Sequence, residues 1–298
     1  MLGTLAETDL ENAMWNDIAA AIRAAGATAG ESGVARPVGG GDINAAYRFE
    51  TGTHRYFVKC NRRPARPMFD AEAAALTQLG ARIRVPQPVC TGVTGDTAFL
   101  VLEWLDLARH GDDARLGEAL ADVHRLTMPR YGWDIDNTIG STAQANGWLG
   151  NWADFWARRR LAPQLALAAT RGAHFHEGET LLAQLPVLFD GHAPAASLLH
   201  GDLWSGNAAF LADGIPVLFD PASYFGDRET DLAMTELFGG FSPRFYDAYR
   251  AAWPLDAGYA VRRTLYQLYH VLNHFNLFGG HYRHEAGSMM GRLLAELR

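Results

Sequence analysis

The stretch SLLHGDLWSGNAAFLADGIPVLFDPA, residues 197–222, decides the reading of this chain. Two short apolar runs in it flank polar loops. The first loop holds His200, Gly201, Asp202 and, five residues after Asp202, Asn207; the second holds Asp220, thirteen residues further on. Phosphoryl transfer to a hydroxyl calls for these residue types. One carboxylate accepts or orients the attacking hydroxyl, and carboxylate and amide oxygens hold Mg²⁺ against phosphates. A polar hairpin turn accounts for His200-Gly-Asp202 alone. It does not account for Asn207 and Asp220 at this spacing with a strand between them.

A second signal lies upstream. Gly39, Gly40, Gly41, Asp42, Ile43 and Asn44 fall between two expected strands, and Lys59 sits on a third inside the apolar run FVKC. Glycines let backbone N–H groups approach phosphates, and a lysine neutralises them. Glu72, on the helix expected next, is a partner for Lys59, with an ordinary helix-surface charge as the alternative. A third segment, Phe99 to Leu105 (FLVLEWL), reads as a strand running into the crossing between two lobes.

Outward from these motifs the chain reads as α+β. Its 298 residues allow two lobes. The region from Gly33 to Cys60 looks like strand, glycine turn, strand, hairpin, strand, and Phe69 to Leu79 like a helix. Thr8-Asp-Leu-Glu11 is a possible capping box ahead of Leu10, Met14, Ile18 and Ile22 at helical spacing. After Trp104 the pattern is mostly helical, with helices expected over 148–169, 231–238, 245–252 and 260–278. A small sheet-rich lobe, residues 1–103, followed by a larger helical lobe, residues 104–298, is expected. Hydrophobic residues are 48%, aromatics 11% and charged residues 20%, a globular composition that excludes wholesale disorder. The net charge of −7 and the lack of a basic stripe count against nucleic acid. No long apolar run suggests a membrane span, and no secretory signal is evident. Two cysteines, Cys60 and Cys90, make neither a disulfide framework nor a metal site, so a cytoplasmic location is expected.

The order of parts resembles the protein-kinase-like superfamily in its aminoglycoside and choline kinase branch, with HGD and DPA in place of HRD and DFG. GGGDIN, FVKC, LLHGDLWSGN, FDPASYFGDRETDLAM and YQLYHVLNHFNLFGG more closely resemble the fructosamine kinase (ketosamine kinase) family. So do YGWDIDNTIG, the segment from Gln144 to Trp148 and that from Trp152 to Arg159; the resemblance spans about Val34 to Tyr282. It implies a two-lobed fold and ATP-dependent phosphorylation of a glycated amine at the third carbon of the ketosamine. It further implies that Asp202 is the catalytic base and that Asn207 and Asp220 hold Mg²⁺. Lys59, paired with Glu72, would contact the α- and β-phosphates, with Gly39 to Asn44 covering them. The backbone of Glu103, Trp104 and Leu105 would meet adenine, and Asp231 would brace the catalytic loop. Where some relatives carry a redox-active cysteine, this chain has Asp42, so no disulfide switch is expected there; its carboxylate is expected to face away from phosphate.

Further residues have two readings each. Trp204 either stacks on the sugar or amine or packs the catalytic loop. Tyr224, Asp227 and Arg228 either line the acceptor cleft or pack the core. His270 and His274 lie four apart on an expected helix. That spacing mimics a zinc pair, but without a Cys cluster or HExxH glutamate an acceptor-pocket or buried role reads better. The partner expected is a small-molecule or protein-bound glycated amine, and the chain a monomer or weak dimer. Rival readings are an aminoglycoside, choline or other sugar kinase, and a nucleotide-binding pseudokinase; intact Lys59, Asp202, Asn207 and Asp220 argue against the last.

Overall fold

The computed structural model describes residues 2–39 and 43–297, with backbone alone for 2–10. The chain divides into two compact units, Met1–Gly80 with Arg84–Leu107, and Ala81–Ile83 with Ala108–Arg298.

The first unit is built on a five-stranded antiparallel sheet of order β1-β2-β3-β5-β4. Its strands are β1 (Val34–Pro37), β2 (Ala45–Thr51), β3 (His54–Arg62), β4 (Pro88–Thr94) and β5 (Thr97–Glu103). β3 is central, and Lys59 on it faces Ala46 of β2 and Leu100 of β5 in register. Helix α1 (Leu2–Ala24) buries Trp15, Ile18 and Ile22 against Phe49, Val58 and Val101. The stripe falls at helical spacing, so one face of α1 is apolar. Thr8 to Glu11 does not start this helix, which begins six residues earlier at Leu2. Helix α2 (Arg66–Leu79) has a proline in its first turn, buries Phe69, Glu72, Leu76 and Leu79, and stops at Gly80.

The second unit is largely helical. Helix α3 (Asp113–His124) is capped by Asp112, which accepts the Arg115 N–H. It packs closely on α8 (Pro243–Ala252), because Gly117 has no Cβ to meet the Phe245 carbonyl, which such an atom would approach to 2.3 Å. Short strands β6 (Thr127–Met128), β9 (Ala196–Leu198) and β12 (Phe225–Gly226) form one antiparallel sheet. Hairpins β7–β8 (Asn137–Ile139, Thr142–Gln144) and β10–β11 (Ala208–Phe210, Pro216–Leu218) form two more. The helix expected from Trp148 begins at Trp152, where Asn151 caps it by accepting the Asp154 N–H. It runs as α4 (Trp152–Phe155), a π-helical turn (Trp156–Leu161) and α5 (Ala162–Thr170). The remaining helices are α6 (His176–Leu188), α7 (Glu229–Leu237), α9 (Tyr259–Phe278) and α10 (Tyr282–Glu296). The α+β class read from the sequence is borne out. Among the described residues no helix is long and apolar enough to cross a membrane.

Candidate active site

The loop after β9 is held from behind. Asp231, in the first turn of α7, accepts the N–H of His200 at 2.7 Å and of Gly201 at 2.8 Å, with His124 Nε2 at 3.2 Å. Burial alone would raise the Asp231 carboxyl; the His124 hydrogen bond and neighbouring His and amide groups outweigh it and hold it below the usual range. Gly201 takes φ +84°, and a Cβ there would fall 2.1 Å from the Ala222 carbonyl. Only glycine lets the two polar loops come this close. The His200 ring reaches the Phe219 carbonyl at 2.9 Å, and burial pushes its pKa down despite the Asp231 charge.

Asp202, Asn207 and Asp220 converge in front of this brace. Asn207 Nδ2 donates to the Asp202 carbonyl at 2.9 Å, and lies 3.4 Å from Asp202 Oδ2 and 3.5 Å from the Asp220 carbonyl. With its amide nitrogen so turned, Asn207 presents its side-chain oxygen elsewhere. Burial first, then the Asp220 and Asp231 charges, push Asp202 up to about 7, against the Asn207 hydrogen bond. Asp220 is the one non-glycine residue at positive φ (57°) among the described residues. Such backbone costs about 1–3 kcal/mol and persists at positions the surrounding structure over-determines. The oxygen-only donor set of Asn207 and Asp220 fits a hard cation such as Mg²⁺.

In the first unit Lys59 Nζ lies 2.7 Å from Glu72 Oε1, and the two residues are only 6% and 8% exposed. A buried ion pair of this kind is rarely a gain in stability over apolar packing, so its presence calls for another reason. One signal the motif reading passed over supports it. Of 26 basic residues in the chain, 25 are arginine and Lys59 is the lone lysine. A compact ammonium is kept where arginine's planar fork does not serve. Asn44 accepts a hydrogen bond from Asn61 at 2.7 Å, and Ile43 and Gly39 are exposed. Gly40, Gly41 and Asp42, with the expected outward aspect of Asp42, lie outside the described residues. The Glu103 N–H donates to the Gln87 carbonyl at 2.9 Å, so of its two backbone polar groups the carbonyl is the one left for an adenine edge. The Glu103 carboxylate meets Arg84. Trp104 Nε1 donates to Asp106, while Leu105 is half-buried.

Trp204 is 40% exposed and lies over Gly206, where a Cβ would meet its ring at 2.2 Å. Tyr224, Asp227 and Arg228 are corrected to interior positions. The Tyr224 ring packs under the Arg160 guanidinium at 3.9 Å. Asp227 accepts from Tyr266 Oη, His192 Nε2 and the Glu229 N–H. Arg228 donates to Tyr249 Oη and to the Trp253 and Pro254 carbonyls. At 2%, 1% and 6% exposure they do not present an exposed acceptor rim. His270 is buried, which pushes it down to about 3, and His274 bonds the His270 carbonyl through Nδ1. Among the described residues the one trio whose ligand atoms lie within 4.8 Å of one another is His192, Glu229 and Asp256. There Arg262 already holds Glu229 by two hydrogen bonds of 2.7 and 2.9 Å.

Residues 14–296 match the family model described as Fructosamine kinase. The chain is 47% identical over 264 residues to a Synechocystis protein named as a ketoamine kinase, covering 87% of this chain and 90% of that one. It is 41% identical over 271 residues to the chloroplastic protein-ribulosamine 3-kinase of Arabidopsis thaliana, covering 88% and 82%. The crystal structure of a Haemophilus somnus protein described as a fructosamine-3-kinase superposes with TM-score 0.86 at 29% identity, over 93% of this chain and 96% of the other. An aminoglycoside phosphotransferase, 16% identical with TM-score 0.55 over 88% and 92%, shares the fold. With the family model spanning nearly the whole sequence and these relatives covering most of it, the chain belongs to the fructosamine kinase family.

Proposed function

We propose that this protein uses ATP to phosphorylate a sugar hydroxyl of a ketosamine, at its third carbon, with Asp202 as the base. The observation that carries the reading is the convergence of Asp202, Asn207 and the strained Asp220 on a loop locked by Asp231. Residues 1–103 then bind nucleotide and residues 104–298 carry catalysis and the acceptor. When bound, Mg²⁺ with ATP supplies an electrophilic phosphoryl group whose charge is partly neutralised. The protein's own part is positioning. Asp202 accepts the proton of the attacking hydroxyl, for which a raised pKa brings it toward working pH. Asn207 and Asp220 offer oxygens to the metal, and Lys59, oriented by Glu72, holds the α- and β-phosphates. Trp204 and His274 are the residues we assign to the acceptor, a glycated amine either free or protein-bound. Burial raises Cys60 to about 12 and Cys90 to about 11, so both are inert thiols suited to a reducing cytoplasm.

The test is ATP turnover on a panel of fructosyl-lysine, a ribulosyl-lysine, choline and kanamycin. Turnover with the ketosamines alone is expected. Turnover only with choline or kanamycin would leave kinase chemistry but overturn the acceptor; none with any would indicate a nucleotide-binding protein without catalysis.

A further inference from the structure

The second unit contains a cavity of about 430 Å³ that the phosphotransfer reading does not use. Its walls come from the β7–β8 hairpin, the π-turn and α5, and the C-terminal half of α9. Arg159, Arg160 and Arg171 all line it, and no Asp or Glu does. In a chain of net charge −7, three cations gathered without an acid are an imbalance that calls for a counter-charge.

The hydrogen bonding shows the same deficit. Arg160 is fully buried; its Nη atoms donate to the Ala145 and Arg159 carbonyls and the Asn146 side-chain oxygen, and its guanidinium lies over the Tyr224 and Phe155 rings. Its Nε has no partner, nor has Arg159 Nε, nor Thr142 Oγ1. Asn276, 1% exposed, spends both recorded bonds through Nδ2 on Gln164, and its Oδ1 is unpartnered. Buried polar atoms are almost always satisfied. These four atoms have no accessible surface of their own, so a ligand in the cavity meets them only through a small shift of the side chains that carry them; three are able to donate and one only to accept. A complementary ligand carries an oxyanion for the arginines and Thr142, and a hydrogen-bond donor for Asn276.

We propose that this cavity binds a small molecule bearing a carboxylate or phosphate together with a hydrogen-bond donor. The volume is that of a small-ligand pocket, not of a single water, whose liquid share is about 30 Å³. Ser141 and Arg171 are exposed, so the cavity has an approach from solvent. One wall also bears on the catalytic loop. Tyr269 Oη donates to Gln144 Oε1 at 2.7 Å, Gln144 Nε2 donates to the Ala222 carbonyl at 3.1 Å, and the Ala222 N–H donates to the His200 carbonyl at 2.9 Å.

Two sources fit the chemistry: a free anion, or the carboxylate of the acceptor's own amino acid. The experiment separates them. Melting of the full chain is followed with inorganic phosphate or N-acetylglycine, in the presence of a saturating non-hydrolysable ATP analogue that fills the nucleotide site. A free-anion site gives a saturable rise of about 5 °C at a hundredfold excess over Kd. The double variant Arg159→Gln, Arg171→Gln loses that rise; neither residue is fully buried, so its melting point without probe stays close to that of the parent. In a second arm, which rests on the ketosamine reading, KM is compared for fructosyl-glycine and fructosyl-methylamine. If the carboxylate is the acceptor's own, the parent favours fructosyl-glycine about tenfold and the variant does not. An equal melting rise in parent and variant would overturn the proposal. So would the absence of any rise combined with an unchanged KM ratio. The melting arm needs no turnover, so its outcome stands whatever the acceptor proves to be.

Discussion

Asp231 Oδ1 accepts the Gly201 N–H at 2.8 Å, although the two residues lie on different elements thirty positions apart. Its other oxygen takes the His200 N–H at 2.7 Å. Together the two bonds fix the backbone that carries Asp202. Asparagine at 231 keeps one acceptor and puts a donor where the second amide points. Hydrogen bonds to a buried charge are worth about 1.5–3 kcal/mol each, so Asp231→Asn is expected to destabilise by about 3 kcal/mol. It also loosens the base, and kcat should fall more than tenfold with KM for ATP nearly unchanged. Urea unfolding and steady-state kinetics check this; a lower stability with parental kcat would reduce Asp231 to a fold residue.

Asp202 is a group whose ionised form the fold disfavours. Its folded value, about 7, is above the unfolded 3.8. The native state is therefore not penalised below pH about 4, and the penalty grows until pH about 7 and then levels. Asp202→Asn removes it. We expect the variant to melt higher than the parent without nucleotide or metal, with a gap that opens between pH 4 and 7. Turnover should fall by about 10²- to 10⁴-fold. A gap independent of pH would remove the charge argument.

The two glycine-spaced loops of the second unit were legible because their chemistry requires fixed residue types at fixed spacing. The strands of the first unit were legible from apolar runs broken by turns. Tyr224, Asp227 and Arg228 were not placed, because adjacency to Asp220 in sequence says nothing of which way a side chain turns. Their partners, Arg160, His192 and Tyr249, come from segments tens of residues away. The start of α1 was missed because Thr8 to Glu11 makes a plausible local cap, and such a signal does not by itself interrupt a helix that starts earlier. The buried Arg160 sits in a run of three arginines that reads as solvated. It lies on the π-helical turn with Trp156 and Leu161, the other two residues that this turn buries.

Lys59 is the only side-chain amine in the protein. An amine-directed acylating reagent should therefore add at residue 59 and the N-terminus alone, and ATP should protect residue 59. Peptide mass spectrometry reads both. Lys59→Arg should recover little activity, because the planar fork does not replace a point-like ammonium. Lys59→Ala removes the cation 2.7 Å from the buried Glu72 carboxylate and should cost about 3–5 kcal/mol, part of it restored by adding Glu72→Gln. Labelling at residue 59 that ATP leaves unaltered would separate this lysine from the nucleotide.

His192 joins the segment after α6 to the start of α7 and the loop before α9. Its Nε2 meets Asp227 at 2.7 Å and Glu229 at 4.0 Å, and its Nδ1 meets Asp256 at 3.4 Å. Burial opposes protonation, as does Arg262, but the Asp227 hydrogen bond and the Asp227 and Glu229 charges prevail and raise its pKa above 6.5. The stabilisation is therefore fully present below pH 6.5 and is lost as pH rises through the higher folded value. His192→Asn should lower the melting temperature most at pH 5.5 and progressively less toward pH 9. An effect of constant size across that range would make the imidazole a neutral packing group.

Trp204 is two residues from Asp202, and a hydroxyl that Asp202 activates lies within hydrogen-bond reach of it. The indole is 40% exposed and rests on Gly206, where no side chain intervenes. A large aromatic kept in solvent beside a base is placed to pack the apolar face of a sugar. Because the ring covers a glycine and not a buried cluster, its removal leaves no core cavity, and Trp204→Ala should melt close to the parent. Its effect should fall on the acceptor: KM for fructosyl-lysine up about tenfold, equivalent to about 1.4 kcal/mol, with KM for ATP nearly unchanged. Trp204→Phe, which keeps an apolar ring, should recover most of that loss. The kinetics separate a wall from a brace. A ring that only orders the catalytic loop would lower kcat alike for every acceptor and lower the melting point as well. That pattern, with KM for fructosyl-lysine unmoved, would take Trp204 out of the acceptor site.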